Sequence, residues 1–401
     1  MEGMTVTPMD LDFTAAHAAL RRWVDGDILA GASCAVLAGV DIVDLHCEGW
    51  ANKESRTPMR ADHIFRVFSN TKLVTSCAAL LLYEDGRFHL DDPIDRFIPQ
   101  LAKRRVLRPG AVRLDDTEPA AGPVTIRHLM SHSAGLSHPL FGTGTTINKA
   151  YHERKVPDTG ITLSGLMDVL ADLPLIFHPG TSWGYSVATD VVARLVEVLS
   201  GQRFDAFIRA RIFEPLGMGD TGFVVPEESR HRFAALYAGA DPLEPWKPGL
   251  TRADDAPYPG AYLRPVPRLS GNGGLVSTLP DMIALMRSLL SGSPALLKPE
   301  TVTLMMTNQL PPGVWLSIPG LGEHRGKAFG LAGSILLERS RLEPNSAIGE
   351  MQWGGIAGTH WWLDPKSNTA GLLMTQRQMA FWHPFFFEFK KLVYEALNRR
   401  Q

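Results

Sequence analysis

Cysteine is scarce in this chain. Cys34, Cys47 and Cys77 are the only three among 401 residues, an odd number with no C-x-x-C spacing. That excludes a disulfide framework and a cysteine zinc site, and it reads as reduced thiols in the core. Long apolar runs are missing too: no window of about 18 consecutive apolar residues occurs, so no transmembrane helix is expected. Runs of like charge are equally absent, and the formal net charge is only -2. Nothing therefore carries the electrostatic signature of nucleic-acid or acidic-lipid partners. The segment Met1 to Ala30 has acidic Glu2, Asp10 and Asp12 and lacks the apolar stretch of a secretory signal, so a cytoplasmic location is expected.

What is present is the balance of a globular protein, with 45% hydrophobic and 20% charged residues. The length suits one large two-lobed unit. After Asp12, the spacing of Phe13, Ala16, Leu20 and Trp23 predicts an amphipathic helix. Two strands follow, Ser33 to Ala38 and Val43 to Glu48, with a turn at Gly39. From Ser69 a long helix runs to Gly86, with Leu73, Cys77, Leu80 and Leu81 on one stripe and Ser69 in its first turn. Further helices are expected near Thr125 to His132, Ser186 to Leu199 and Thr278 to Leu290. The Pro-, Gly- and Asp-rich stretch 239–271 reads as a long surface loop that supplies part of a pocket wall. Strand character returns at Ala332 to Leu337, Thr359 to Leu363 and Ala370 to Thr375, and Pro384 opens a last helix. The pattern predicts an α/β chain of the α+β type, with a sheet assembled from both termini and flanked by helices. Residues 1–68 and 326–401 form the sheet lobe, and 69–325 an inserted, mostly helical lobe with long loops.

Ser69-Asn70-Thr71-Lys72 is an S-x-x-K motif. Residues three apart on a helix share a face, so the hydroxyl and the amine are within reach of each other. A helix N-terminus adds unpaired N–H groups and a positive dipole end, which favour developing negative charge at an acylated serine. Leu73, Val74 and Cys77 surround Lys72 with apolar groups, which lowers an amine's pKa and lets it accept a proton.

Four segments resemble the class C β-lactamases, the D-alanyl-D-alanine carboxypeptidases and, most closely, the family VIII carboxylesterases. Phe65 to Lys72 is similar to the family's nucleophile segment, and His128 to Leu136 (HLMSHSAGL) to its helix-to-loop segment. Pro179 to Ser186 (PGTSWGYS) resembles the stretch that delivers an active-site tyrosine, here Tyr185. Trp353-Gly354-Gly355 stands where the lactamases have K-T-G. The resemblance implies a β-lactamase-like fold with an antiparallel sheet. It also implies Tyr185 beside Ser69 and Lys72 as their proton-handling partner, and a substrate-lining strand at Trp353, Gly354 and Gly355. The N–H groups of Ser69 and Ile356 then form the oxyanion hole, and no metal or cofactor is needed.

Trp353 cannot supply the cation that meets a β-lactam or peptide carboxylate, and Val187 replaces the lactamase Y-x-N asparagine. Both departures point to a neutral small-molecule ester as substrate. The expected function is a serine carboxylesterase acting on small or short-chain acyl esters. The alternatives are a β-lactamase or D-Ala-D-Ala peptidase-like amidase, an acyltransferase on the same site, and a catalytically idle binding protein. A rival nucleophile exists: Gly180-Thr181-Ser182-Trp183-Gly184 matches the G-x-S-x-G elbow of α/β-hydrolases, with Asp364 and His383 later in the required order. Pro179 directly before it, and the lack of an upstream H-G-G-G segment, speak against Ser182.

Overall fold

Alternation along the strands divides the hydrophobic residues between two cores. In the computed structural model, which describes residues 6–7, 11–241, 244–292, 294–318 and 322–398, eight strands make one sheet. They are β1 (Gly31–Ala38), β2 (Asp41–Asn52), β3 (Thr57–Pro58), β4 (Lys327–Phe329), β5 (Ser334–Leu336), β6 (Met351–Gly354), β7 (His360–Asp364) and β8 (Thr369–Thr375). Their order is β4-β5-β6-β7-β8-β1-β2-β3, every neighbouring pair antiparallel. All eight strands thus come from the two ends of the chain, and β1 closes the sheet by pairing with β8. Of the early acidic residues, Glu2 and Asp10 lie outside the described residues, and Asp12 accepts the Thr14 N–H at 2.9 Å.

The helices that frame the site are α1 (Thr14–Asp25), α2 (Thr71–Glu84), α3 (Ala188–Ser200), α4 (Leu279–Arg287) and α5 (Pro384–Asn398). On one sheet face Cys34, Val36, Trp362 and Leu373 pack against Leu20 and Trp23 of α1 and Phe385, Phe389 and Val393 of α5. On the other face Ala35, Leu37, Trp353, Trp361, Leu363 and Leu372 join the large core built on α2, α3 and α4. Successive side chains point to opposite faces of a strand, which is why Trp361 and Trp362 belong to different cores. Each such apolar side chain contributes roughly 1.5–3 kcal/mol when fully buried.

The helix at the S-x-x-K motif differs from its sequence reading in two ways. Every residue from Thr71 to Leu82 is buried, so α2 is a central helix with no solvent face rather than an amphipathic one. It also begins at Thr71, not at Ser69. Ser69 sits in a single 3₁₀ turn, Phe68–Asn70, because Phe68 adopts φ +42°, a left-handed conformation that no α-helix continues through. In the loop-rich stretch 239–271, Leu250–Arg252 pairs with Tyr237–Gly239, Asp254 bonds Arg66, and the Tyr262 ring meets Phe68 edge-on at 6.1 Å. The described part of that stretch therefore braces the nucleophile turn. Cys34, Cys47 and Cys77 are free thiols.

Candidate active site

The turn that carries Ser69 is clamped from three sides. Phe65–Arg66 pairs with Val276–Ser277, the Val67 N–H reaches Leu275 O at 3.3 Å, and Asn70 N–H closes the turn on Val67 O at 3.0 Å. Holding Phe68 at positive φ costs energy that only such surrounding contacts sustain, a pattern that clusters at functional sites. Ser69 remains partly exposed while Lys72, one turn on, is 2% exposed.

Tyr185 arrives from a loop whose course is set by the HLMSHSAGL segment. Ile176 N–H bonds Gly135 O, Gly180 N–H bonds Ser133 O, Gly184 N–H bonds His132 O and Val187 N–H bonds Ser137 O, at 2.7 to 3.1 Å. Gly135 must be glycine here: its φ is +82° and an added Cβ would run into Phe177 O. The two segments picked out by resemblance are therefore one hydrogen-bonded unit, and its product is the position of the Tyr185 phenol.

Three polar atoms converge. Tyr185 Oη lies 2.6 Å from Ser69 Oγ and 2.6 Å from Lys72 Nζ, while the direct Lys72 Nζ to Ser69 Oγ distance is 3.2 Å. Lys72 Nζ also donates to Asn272 O at 2.7 Å. Burial lowers the Lys72 amine to about 7, with the Asp190 charge acting in the opposite direction. Burial pushes the Tyr185 phenol above its ordinary value, the Ser69 hydrogen bond opposing, so it is a neutral phenol at neutral pH. A lysine that is partly free amine, linked through a neutral phenol to a serine hydroxyl, is a competent base for that hydroxyl.

Trp353 stacks on the Tyr185 ring at 5.7 Å and packs against Phe329 and Phe381. Gly354 and Gly355 then bring the end of β6 onto the nucleophile turn. A Cβ on Gly355 would collide with Val67 O and Thr359 Oγ1, and one on Gly354 with the His360 ring. Among the described residues no acceptor is found for the Ser69 and Ile356 N–H groups, whereas Gly355 N–H is taken by Thr359 O at 2.6 Å. The geometry thus brings Ser69, Lys72, Tyr185 and Trp353 together at the place where Gly354, Gly355 and Ile356 approach the turn.

Ser182 lies in the loop before Tyr185 and not on a strand-to-helix elbow. Asp364 holds Lys366 N–H and Ser367 Oγ at the end of β7, and His383 bonds Arg377 and Pro245 O, so neither forms a triad with it. Among the described residues, no group of three or more His, Cys, Asp or Glu side chains is placed to hold a metal ion.

Sequence reasoning missed three neighbours of Lys72. Asn272 holds the amine with its backbone oxygen, which no side-chain pattern announces. Asp190 lies in the first turn of α3, where an acid reads as an ordinary partner of the helix dipole. His138 packs against Tyr185, rings tilted and 5.0 Å apart, and follows the recognised segment by two residues. Its Nδ1 accepts the Leu140 N–H, so the neutral ring carries its proton on Nε2, 2.8 Å from the Asn272 side-chain amide. Turned over, that amide meets the proton with Oδ1, which otherwise has no partner among the described residues.

Comparison with known proteins gives a family-model match to Beta-lactamase over residues 18–381. The chain is similar to an uncharacterized protein of Mycobacterium tuberculosis, 31% identical over 92% of this chain and 90% of that one. It is also similar to Esterase EstB of Burkholderia gladioli, 30% identical over 86% of each chain. Among solved structures, EstCE1, described as a hydrolase with promiscuous acyltransferase activity, superposes with a TM-score of 0.80 over 95% of this chain and 98% of that one, at 23% identity.

Proposed function

This chain belongs to the beta-lactamase family, and from that membership and the geometry of its site we propose that it is a serine carboxylesterase of the family VIII type, acylated at Ser69 by small or short-chain esters. The observation that carries the reading is the convergence of Ser69 Oγ, Tyr185 Oη and Lys72 Nζ, with two contacts of 2.6 Å through the phenol. The proton leaves Oγ for Oη as the phenol proton passes to Nζ, a shorter route than the direct 3.2 Å contact. Oγ bonds to the ester carbonyl carbon, and the Ser69 and Ile356 N–H groups receive the oxyanion. The bond to the alkoxy oxygen breaks, and Lys72 returns the proton through Tyr185 to the departing alcohol. Water then repeats the sequence on the acyl-enzyme and frees the acid. Because Lys72 and Tyr185 titrate as a coupled pair, the pH profile belongs to both.

Two observations favour an ester over a β-lactam. Trp353, which by resemblance stands where the lactamases have K-T-G, is packed among Tyr185, Phe329 and Phe381 and brings no cation to meet a substrate carboxylate. EstB, the Burkholderia relative, is named an esterase. An alcohol in place of water turns the same acyl-enzyme into an acyltransferase, the reading kept as the alternative. Among the described residues no helix is long and apolar enough to cross a membrane, and the three free thiols fit a reducing, cytoplasmic setting. The decisive experiment treats the protein with a fluorophosphonate probe and maps the adduct by mass spectrometry. Labelling of Ser69, lost in Ser69→Ala together with p-nitrophenyl butyrate hydrolysis, is expected; an adduct on Ser182 with activity retained in Ser69→Ala overturns the reading.

A further inference from the structure

Lys72 is buried, so the groups facing it decide how much of it is ammonium. Ser69 precedes it on the same turn, and Tyr185 comes from the loop before α3. The His132 and His138 rings lie tilted beside Tyr185, and burial next to Lys72 keeps both imidazoles neutral. Asn272 O caps Nζ from the 270–274 loop. Among the described residues, the acidic side chain whose field reaches Lys72 is Asp190 of α3, itself 3% exposed.

The connection between acid and amine runs through a single residue. Asp190 Oδ1 accepts the Asn272 N–H at 2.9 Å and the Ser270 hydroxyl at 2.8 Å. The carbonyl of that same Asn272 holds Lys72 Nζ at 2.7 Å. Burial raises the Asp190 carboxyl above its ordinary range, and the two donors on the carboxylate act against that in favour of the ionised form. The buried Arg268, whose guanidinium donates to Val156 O, adds a stabilising positive field. Thr75 Oγ1 to Gly271 O at 2.8 Å and Leu275 N–H to Thr71 Oγ1 at 3.1 Å also tie the loop to α2 but carry no charge.

We infer that Asp190 is a positioning residue for the reaction: it grips the Asn272 peptide so that the Asn272 carbonyl holds the Lys72 amine, and it supplies the negative charge opposite that amine. The inference rests on the Ser69–Lys72–Tyr185 reading above. It assigns a task to an acid that neither touches substrate nor belongs to the S-x-x-K or tyrosine segments. In the resting site the charge keeps Lys72 from being a permanently neutral amine. Once the amine has taken the serine proton, the same charge stabilises the resulting ammonium, which lowers the energy of the acylation step.

The test is the pH dependence of kcat/KM for p-nitrophenyl butyrate, with the pH dependence of fluorophosphonate labelling as a second readout. In the wild type the rate rises with pH through a limb near neutrality. Asp190→Asn keeps an acceptor for the Asn272 N–H but removes the charge, so the Lys72 ammonium is less favoured and the limb moves to lower pH by about one unit. Asp190→Glu restores the charge and returns the limb toward its wild-type position. Ser270→Ala loosens the same loop without changing charge, and its limb stays in place while the rate falls. If Asp190→Asn does not fold, Asp190→Ser is a second neutral variant with the same displacement expected. A limb unmoved in a folded neutral variant overturns the role of Asp190 and leaves the esterase reading intact. A wild type with no limb near neutrality removes the Lys72 base, and the inference falls with it.

Discussion

In the proposed reaction the chemistry turns on Ser69, which sits one turn before the buried Lys72, a setting the other motif serine does not have. Ser69→Ala is expected to abolish esterase activity, and Ser182→Ala to keep most of it, since Ser182 sits in a loop and not one turn before a buried lysine. Equal loss in two folded variants counts against this. The pH sign follows from Lys72: burial lowers its amine to about 7, the free amine is the active form in the proposed reaction, and so kcat/KM is expected to climb as pH rises through that value. A flat profile from pH 5 to 9 removes the lysine as base. In the same proposal Trp353 sets selectivity. Losing a buried partner for a substrate charge costs about 2–5 kcal/mol, so kcat/KM for p-nitrophenyl butyrate is expected to exceed that for ring opening of a chromogenic cephalosporin by orders of magnitude. Trp353→Lys is expected to restore little lactam turnover, because Phe329 and Phe381 desolvate any ammonium placed there. Comparable rates on the two substrates in the wild type overturn the ester preference.

At the level of elements, the site depends on two backbone segments touching. The end of β6 approaches the nucleophile turn closely enough that Gly355 has no room for a methyl group. Gly355→Ala must push the strand away from Val67 and take the Ile356 N–H with it. Overpacking of this kind costs about 1–3 kcal/mol of stability, and a displacement of about 1 Å at a reacting centre lowers the rate by about 10²-fold. Gly122→Ala, where an added Cβ meets nothing within 4 Å, is the matched control. Kinetics and thermal midpoints on the pair check it; Gly355→Ala with wild-type kcat/KM removes the close approach as a requirement. The helix ends bear out simpler rules, with Thr125 and Thr278 capping Ile126–Met130 and α4 as side-chain acceptors.

Across the whole molecule, the reverse face of the site strand is held by buried charge. Lys390 of α5 donates to Glu343 Oε1 at 2.8 Å, to Gln352 Oε1 at 2.9 Å and to Glu350, while Lys327 pairs with Glu343. Gln352 immediately precedes Trp353, so this network anchors the strand that lines the site. Lys390→Met leaves the buried Glu350 without its ammonium partner and Glu343 with Lys327 alone, and is expected to cost about 3–5 kcal/mol, read as a lower urea midpoint at unchanged slope. Burial raises the Glu343 carboxyl, but Lys390 and Lys327 together draw it well below the usual range. A depressed carboxyl contributes stability that is present above its unfolded value near ~4.3 and is lost as pH falls below it. Urea midpoints at pH 7, 5 and 3.5 are expected to fall most over the last interval, and a midpoint independent of pH there rules this out.

Local pattern was enough for much of this. Strand-like apolar runs placed β1, β7 and β8 to within two residues of their bounds, alternation marked the middle of β2, and the S-x-x-K spacing on a helical turn named Ser69 and Lys72, because these signals depend on residues close in sequence. The all-round burial of α2 and the strained Phe68 were not legible, since neighbours distant in the chain impose them. The same holds for the site. Tyr185 and Trp353 entered through resemblance, whereas Asn272 and Asp190 stand 200 and 118 positions from Lys72, with a backbone carbonyl as the link. Sequence by itself determined which chemical groups are available and which short segments carry them. Tertiary structure decided which of those groups meet and at what charge, because desolvation and the field of a buried acid exist only once the helices and sheet have closed around them.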